Sequence, residues 1–277
     1  MRGFAIVGGV LSAMVLVFAD AAATEEDPIW DRLTGQLSYA GVRLGFDERG
    51  SRTAQLDFDI DLATGTRVLA TAGGSSLESG SEALDASEVS IGLSSDPIQP
   101  WIGRGEVAWW GNHGEVETES QRFGVTRQFG RGSIDLQLEW RDLRIYTRPL
   151  PLPINLPAFF DTDSTGWEIG LRVAPSDHWE IGLRHKKVDY SANVSKLGSS
   201  RLAPFVFSPT ALGLASGLLE SLEGVSATHY FDTVAVTLKW ERRESAIDGS
   251  RSDPLAVFGE LALTSGLDLV LGLGGFD

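Results

Sequence analysis

Asp57, Asp59 and Asp61 alternate with Leu56, Phe58, Ile60 and Leu62. An extended chain sends successive side chains to opposite faces, so this run has one carboxylate wall and one apolar wall. Three carboxylates in a row could hold a hard cation such as calcium. Same-face neighbours on one strand sit roughly 7 Å apart, however, too far to share one ion readily. A basic partner on an adjacent strand satisfies them better. The same alternation continues the wall with Glu88, Glu106, Asp135, Glu139, Glu168 and Glu180, and with Arg43, Arg104, Arg141, Arg172, Arg184, Lys186 and Lys239. Around a water-filled bore such fixed charges sort ions, and their acid excess gives a mild cation preference. With no bore, the same groups must pair across the interior, because burying them unpaired is prohibitive. Both arrangements fit the residues.

Catalytic chemistry has little support. Of the four histidines, His113 sits in a Gly-Asn-His-Gly turn, His178 lies beside a turn, and His185 and His229 fall within strands. None is placed with a serine or a paired carboxylate in a recognisable nucleophile or acid–base arrangement. No His or Cys spacing matches a metal site, so no metal and no cofactor are expected.

The elements that carry the charged wall are strands. Gln36 to Phe46, Thr53 to Leu62 and the run to Gly73, Ala86 to Ser94, Trp101 to Trp110, Glu117 to Phe129 and Ser133 to Tyr146 show period-two alternation. So do Gly166 to Val173, His178 to Tyr190, Val225 to Glu241, Pro254 to Leu263 and Leu267 to Phe276. That is about twelve strands, an even number as single-chain bacterial barrels use. Trp101 and Trp109 share a face about 26 Å apart along a strand, or roughly 20 Å of height at a tilt of about 40°. That matches the spacing of the aromatic girdles around a membrane barrel, and Trp167, Trp179 and Trp240 join them as membrane-interface aromatics. Short turns alternate with longer loops until the end, where 241–253 is long and 264–266 is short, against the rule.

Arg2, an apolar run from Phe4 to Phe18 and Ala21-Ala22-Ala23 have the form of a secretory signal peptide. The expected organisation is therefore 1–23 as signal and 24–277 as one barrel domain. Removing Arg2 and Asp20 together leaves the net charge at −15, which disfavours nucleic acid as a partner. There are no cysteines, which suits a wall closed by hydrogen bonds rather than disulfides.

Two segments break the strand pattern. Arg148 to Phe160 is rich in proline and apolar residues, and is expected to fold onto the rim or into the bore. Ser208-Pro209 reads as a helix N-cap with proline at the first turn, and Leu212, Ala215, Leu219 and Leu222 follow at helical spacing. A helix over 209–222 would be a lid or plug, a docking element, or simple packing on the loop base.

The export signal, dyad strands, aromatic belts and turn/loop asymmetry resemble Gram-negative outer-membrane β-barrel proteins, over essentially the whole mature chain. The resemblance implies a bacterial outer-membrane location, membrane lipid around the wall, and an aromatic residue at the C-terminus, where Phe276 here stands one before Asp277. It also implies small solutes or ions as cargo if the lumen is open, and a protein partner at the external loops if it is not. The architecture serves many functions. The leading expectation is a porin-like channel for small hydrophilic solutes with weak cation preference. The alternative is a closed-lumen scaffold or surface-interaction protein, with a barrel-bound hydrolase third.

Overall fold

A computed structural model describes residues 35–275, except 48–51, 63–64, 80–81, 96–99, 113, 149–156, 193, 196–199, 202 and 265–266. The signal at 1–23, the Asp96-Pro97 turn, most of the proline-rich segment, His113 and Phe276 lie outside the described residues.

The strands are β1 (Gly35–Asp47), β2 (Arg52–Leu62), β3 (Thr66–Ser79), β4 (Glu82–Ser95), β5 (Trp101–Asn112), β6 (Val116–Phe129) and β7 (Gly132–Tyr146). They continue as β8 (Phe159–Ser176), β9 (Trp179–Tyr190), β10 (Leu219–Tyr230), β11 (Val234–Ser245), β12 (Arg251–Ser252), β13 (Leu255–Thr264) and β14 (Leu267–Gly275). Each of β2–β11 pairs antiparallel with its predecessor, β12 and β13 both pair antiparallel with β11, β13 pairs antiparallel with β14, and β14 returns to β1. The two-residue β12 is an appendage on β11, so the closed wall has 13 strands. Closure leaves no unpaired edge, which is what a backbone crossing lipid requires.

The expected count of about twelve is one short, and the reason is local. The run 225–241 is two strands, because the chain reverses between Tyr230 and Val234. Phe231 N–H donates to the Val234 carbonyl at 2.8 Å, and Tyr230 N–H to that of His178 at 2.9 Å. Splitting the run restores the turn/loop rule: 231–233 becomes a short turn, 246–254 falls on the loop end, and β13–β14 returns to the turn end. An odd number of alternating strands must close in parallel. β1 meets β14 that way, from Ala40 opposite Leu267 to Asp47 opposite Gly274. At the β6–β7 turn Gly130 takes a φ of 46°, a region costly for any residue with a Cβ.

The wall is inverted relative to a soluble sheet. Ile134, Leu136, Leu138 and Trp140 of β7 are exposed outward, and so are Ile91, Leu93, Val125, Ile169, Ile181, Leu183 and Leu238 on other strands. Asp135, Gln137, Glu139 and Arg141 point to the bore between them. Above Trp140 the phase reverses: Asp142 and Arg144 now face outward, while Leu143 and Ile145 are buried inside. Neighbouring strands do the same, with Val116 and Val188 buried inward and Glu117, Asp161 and Asp189 opposite them in phase. The reversal marks the end of the apolar outer band. Leu136, 49% exposed near mid-wall, tests this assignment. Leu136→Arg should destabilise the folded barrel by about 2–4 kcal/mol in a lipid-vesicle refolding titration. Wild-type stability for that variant would place the apolar wall elsewhere than in lipid.

Inside the loop end lies a conventional hydrophobic core. Val116, Leu143 and Ile145 from the wall meet Phe207, Ala211, Leu214, Ala215, Leu218 and Ile247 from the connections. The β9–β10 connection supplies two short helices, α1 (Ala203–Val206) and α2 (Pro209–Ser216). Ser208 caps α2 by accepting from Ala211 N–H at 2.8 Å, with Pro209 in the first turn. The helix stops at Gly217, shorter than the 209–222 expected, because 219–222 is claimed by the β10 ladder against β9 and β11.

Candidate functional site

The inward charges form two hubs, each a buried carboxylate gathering cations. Glu139 on β7, 4% exposed, takes Lys186 Nζ at 2.6 Å, Arg141 Nη2 at 2.9 Å and Arg122 Nε at 3.2 Å. Arg122 also reaches Glu106 at 3.0 Å. Glu241 on β11, likewise 4% exposed, takes Lys239 at 2.6 Å, Arg243 at 2.5 Å and, more loosely, Arg184 at 3.9 Å. Strand geometry explains the pattern: residues two apart share a face, so Arg141 flanks Glu139, and Lys239 and Arg243 flank Glu241, while the remaining partners come from other strands.

The other expected wall residues pair more locally. Arg184 binds Glu168 at 2.6 Å, and Arg172 binds Asp135 at 3.3 Å while the Thr126 hydroxyl donates to Asp135 at 2.5 Å. In the aspartate run, Asp61 meets Arg67 at 2.6 Å and Asp59 meets it at 3.8 Å. Asp57 accepts from Gln55 at 2.7 Å and Thr71 at 2.9 Å, with Arg43 at 4.0 Å. Arg104 differs: it faces the bore with no ion pair or side-chain hydrogen bond among the described residues. Glu88 and Glu180 are the acidic counterparts in that respect.

Sequence reasoning did not single out Arg67, Arg122 or Arg243, and it treated Glu241 as a strand end. Arg122 was legible, since it alternates with Phe123 and Val125, whose outward placement sends it inward. The interface aromatics lie on the outer face, several beside a cationic or imidazole group. Arg127 stands 5.3 Å from the ring of Trp101, and Arg242 5.4 Å from that of Trp240. Trp167 lies 5.1 Å from His185, and Trp179 4.5 Å from His229. Trp109 is exposed on β5. His178 joins the turn-end group, 6.2 Å from His229. Among the described residues no three His, Asp or Glu side chains are placed to hold a metal ion.

The helical segment between β9 and β10 is tied to three connections. Ser208 hydroxyl bonds the Glu115 carboxylate, Arg148 N–H donates to Val206 at 2.7 Å, and Ala246 N–H to Leu218 at 2.8 Å. In the last of these loops Ser250 holds the Asp248 carboxyl below its usual range by hydrogen bonding. The buried core draws its wall residues from β4, β6 and β7, with Trp110, Phe160 and Tyr190 packed against it. Among the described residues no member comes from β1–β3, β13 or β14.

Two cavities lie against the inner wall. One, about 290 Å³, is bordered by Arg104, Asp135, Arg172, Arg184, Lys239 and Glu241. The other, about 230 Å³, lies against Thr53, Phe258, Gly272 and Gly274, and it shares Lys239 and Glu241 with the first. Both cavities border the Glu241 hub, the first against β5–β11 and the second against β1, β2, β11, β13 and β14.

A closed barrel with an apolar exterior, aromatic flanks and a charged interior is a transmembrane β-barrel of the bacterial outer-membrane type. No protein-family model matches the sequence, and no curated protein sequence does. Among solved structures, the chain is similar to Pseudomonas aeruginosa OccK10 (OpdN) at 9% identity, covering 82% of this chain and 81% of that one, with a TM-score of 0.35. It is similar to BauA, the ferric preacinetobactin receptor of Acinetobacter baumannii, at 12% identity over 77% of this chain and 44% of that one, TM-score 0.33. A structure described as the copper transporter OprC gives 10%, 76%, 42% and 0.37 on the same measures. The chain thus spans less than half the length of the two last proteins. Scores this low carry no residue correspondence and no inference about cargo.

Proposed function

We propose that the chain is an outer-membrane channel for small hydrophilic solutes, exported by a signal at 1–23, with a plug that narrows its loop end. The observation that carries this reading is the closed 13-strand wall whose charged interior holds cavities bordered by Arg104, Asp135, Arg172, Lys239 and Glu241. Paired wall charges keep a wet bore stable without closing it, because the pairs run along the wall between nearby residues. The weak cation preference is assigned to Glu88 and Glu180, which lack ion pairs among the described residues, against Arg104 as the inward base that lacks one there.

Single-channel recording of refolded protein in a planar bilayer, under a salt gradient, tests the reading. The expected result is discrete steps with a small cation-directed reversal potential. Replacing Glu88 and Glu180 by Gln should abolish that potential. Replacing Asp57, Asp59 and Asp61 by Asn should go further and favour anions, since it takes three carboxylates from the wall and the Asp57 partner from Arg43. Silence from demonstrably folded protein would sink the channel. It would favour the second reading, a closed scaffold acting through its external loops, which the buried hydrophobic plug also supports.

A further inference from the structure

Arg104, Gly124 and Gln137 stand side by side on β5, β6 and β7 in one cross-strand row. Both polar side chains face the bore, and Gly124 between them has none, so a guanidinium and a carboxamide flank an open notch. A Cβ at Gly124 would meet nothing nearer than the Leu136 carbonyl at 3.6 Å and Arg104 Cβ at 3.9 Å, so the gap is not there to relieve a clash. Among the described residues neither Arg104 nor Gln137 makes a side-chain hydrogen bond or ion pair. The notch opens into the cavity of about 290 Å³. The carboxylates bordering that cavity are already engaged: Asp135 by Arg172, Glu168 by Arg184, and Glu241 by Lys239. What the cavity offers a newcomer is surplus donors.

We propose that the Arg104–Gly124–Gln137 notch is a solute subsite for a small hydroxylated anion, with Arg104 taking the carboxylate or phosphate and Gln137 a hydroxyl. Guanidinium suits either anion because its paired donors match two oxygens. Pockets of roughly 300–1,000 Å³ hold drug-sized ligands, so this one suits a molecule of hexose size or less. Glu88 and Glu180 do not border the cavity, so a weakly cation-preferring bore and a local anion subsite are compatible. The proposal deepens the channel reading, relying on it for delivery of the solute.

Isothermal titration calorimetry of the detergent-solubilised full chain, with gluconate, glucose 6-phosphate and glucose as probes, tests it independently of conduction. One or both anions should bind while glucose does not, and the arm that binds names the head group. Arg104→Gln should weaken binding about 10–100-fold, the usual span for losing a charged hydrogen bond. Arg104→Lys should recover part of it. Gly124→Leu, which fills the notch and keeps every charge, should weaken binding comparably. Equal affinity in wild type and Arg104→Gln, equal binding of glucose, or no binding by either anion would each overturn the subsite. Binding without conductance would instead remove the channel and leave the subsite standing.

Discussion

Replacing 203–217 by a short Gly/Ser linker should turn a narrow or intermittently blocked barrel into a steadily conducting one, the largest functional change expected of any variant. The segment holds α1 and α2, which bury Phe207, Ala211, Leu214 and Ala215 against Val116, Leu143 and Ile145 of the wall. Removing it bares those wall residues to lumen water. Burial of each is worth about 1.5–3 kcal/mol, so the excised barrel should also melt earlier. The wall itself closes through the interstrand ladders, to which 203–217 contributes only the single bridge between Phe207 and Thr147. A milder variant separates gating from stability. Ser208→Ala with Glu115→Ala removes the cap and its carboxylate tie, at a cost of about 1 kcal/mol. That should shift the blocked-to-open ratio about fivefold. Planar-bilayer recording compares the three proteins. Identical traces from wild type, the excised barrel and the double variant would show that the plug is no barrier.

Glu139→Ala should be the most destabilising single change in the wall, by about 3–5 kcal/mol in a urea titration. Glu139 is buried beneath the hydrophobic core and is the common partner of Arg122, Arg141 and Lys186. Losing it leaves three cations facing one another, and among the described residues only Glu106 still forms an ion pair with one of them, Arg122. Lys186 bears the largest loss, since its side chain is only 11% exposed and cannot reach bulk water as Arg122 can. The double change Glu139→Leu with Lys186→Met removes charge and counter-charge together, and should recover much of the stability, since replacing a buried pair by apolar groups is often neutral. Glu168→Gln is the contrast. Its partner Arg184 is 40% exposed and keeps contact with Glu241, so the cost should stay within about 1 kcal/mol. Equal losses from Glu139→Ala and Glu168→Gln would show that burial does not set the strength of these pairs.

Much of this was legible in the residues because a barrel wall has a period of two, with apolar side chains on one face and charged ones on the other. That period placed Leu136, Leu171 and Trp109 on one face and Asp135, Arg172 and Glu106 on the other without knowledge of any partner strand. The cap at Ser208-Pro209 was equally local, as capping involves only neighbours in sequence. What tertiary structure alone decided involves residues distant in sequence. The reversal at Tyr230–Val234 is set by its pairing with His178 and Val234, so 225–241 reads as one strand until β9 is beside it. The stop of α2 at Gly217 follows from the ladder competing for 219–222. The Glu139 hub draws on β6, β7 and β9, and the Glu241 hub on β9 and β11, convergences set by register and side-chain reach. The notch at Arg104 exists because Gly124 falls between it and Gln137, an alignment of three strands that no one of them encodes. Alternation is a property of one strand, and so the chain declares it; register and closure are properties of the sheet, and only the closed wall reveals them.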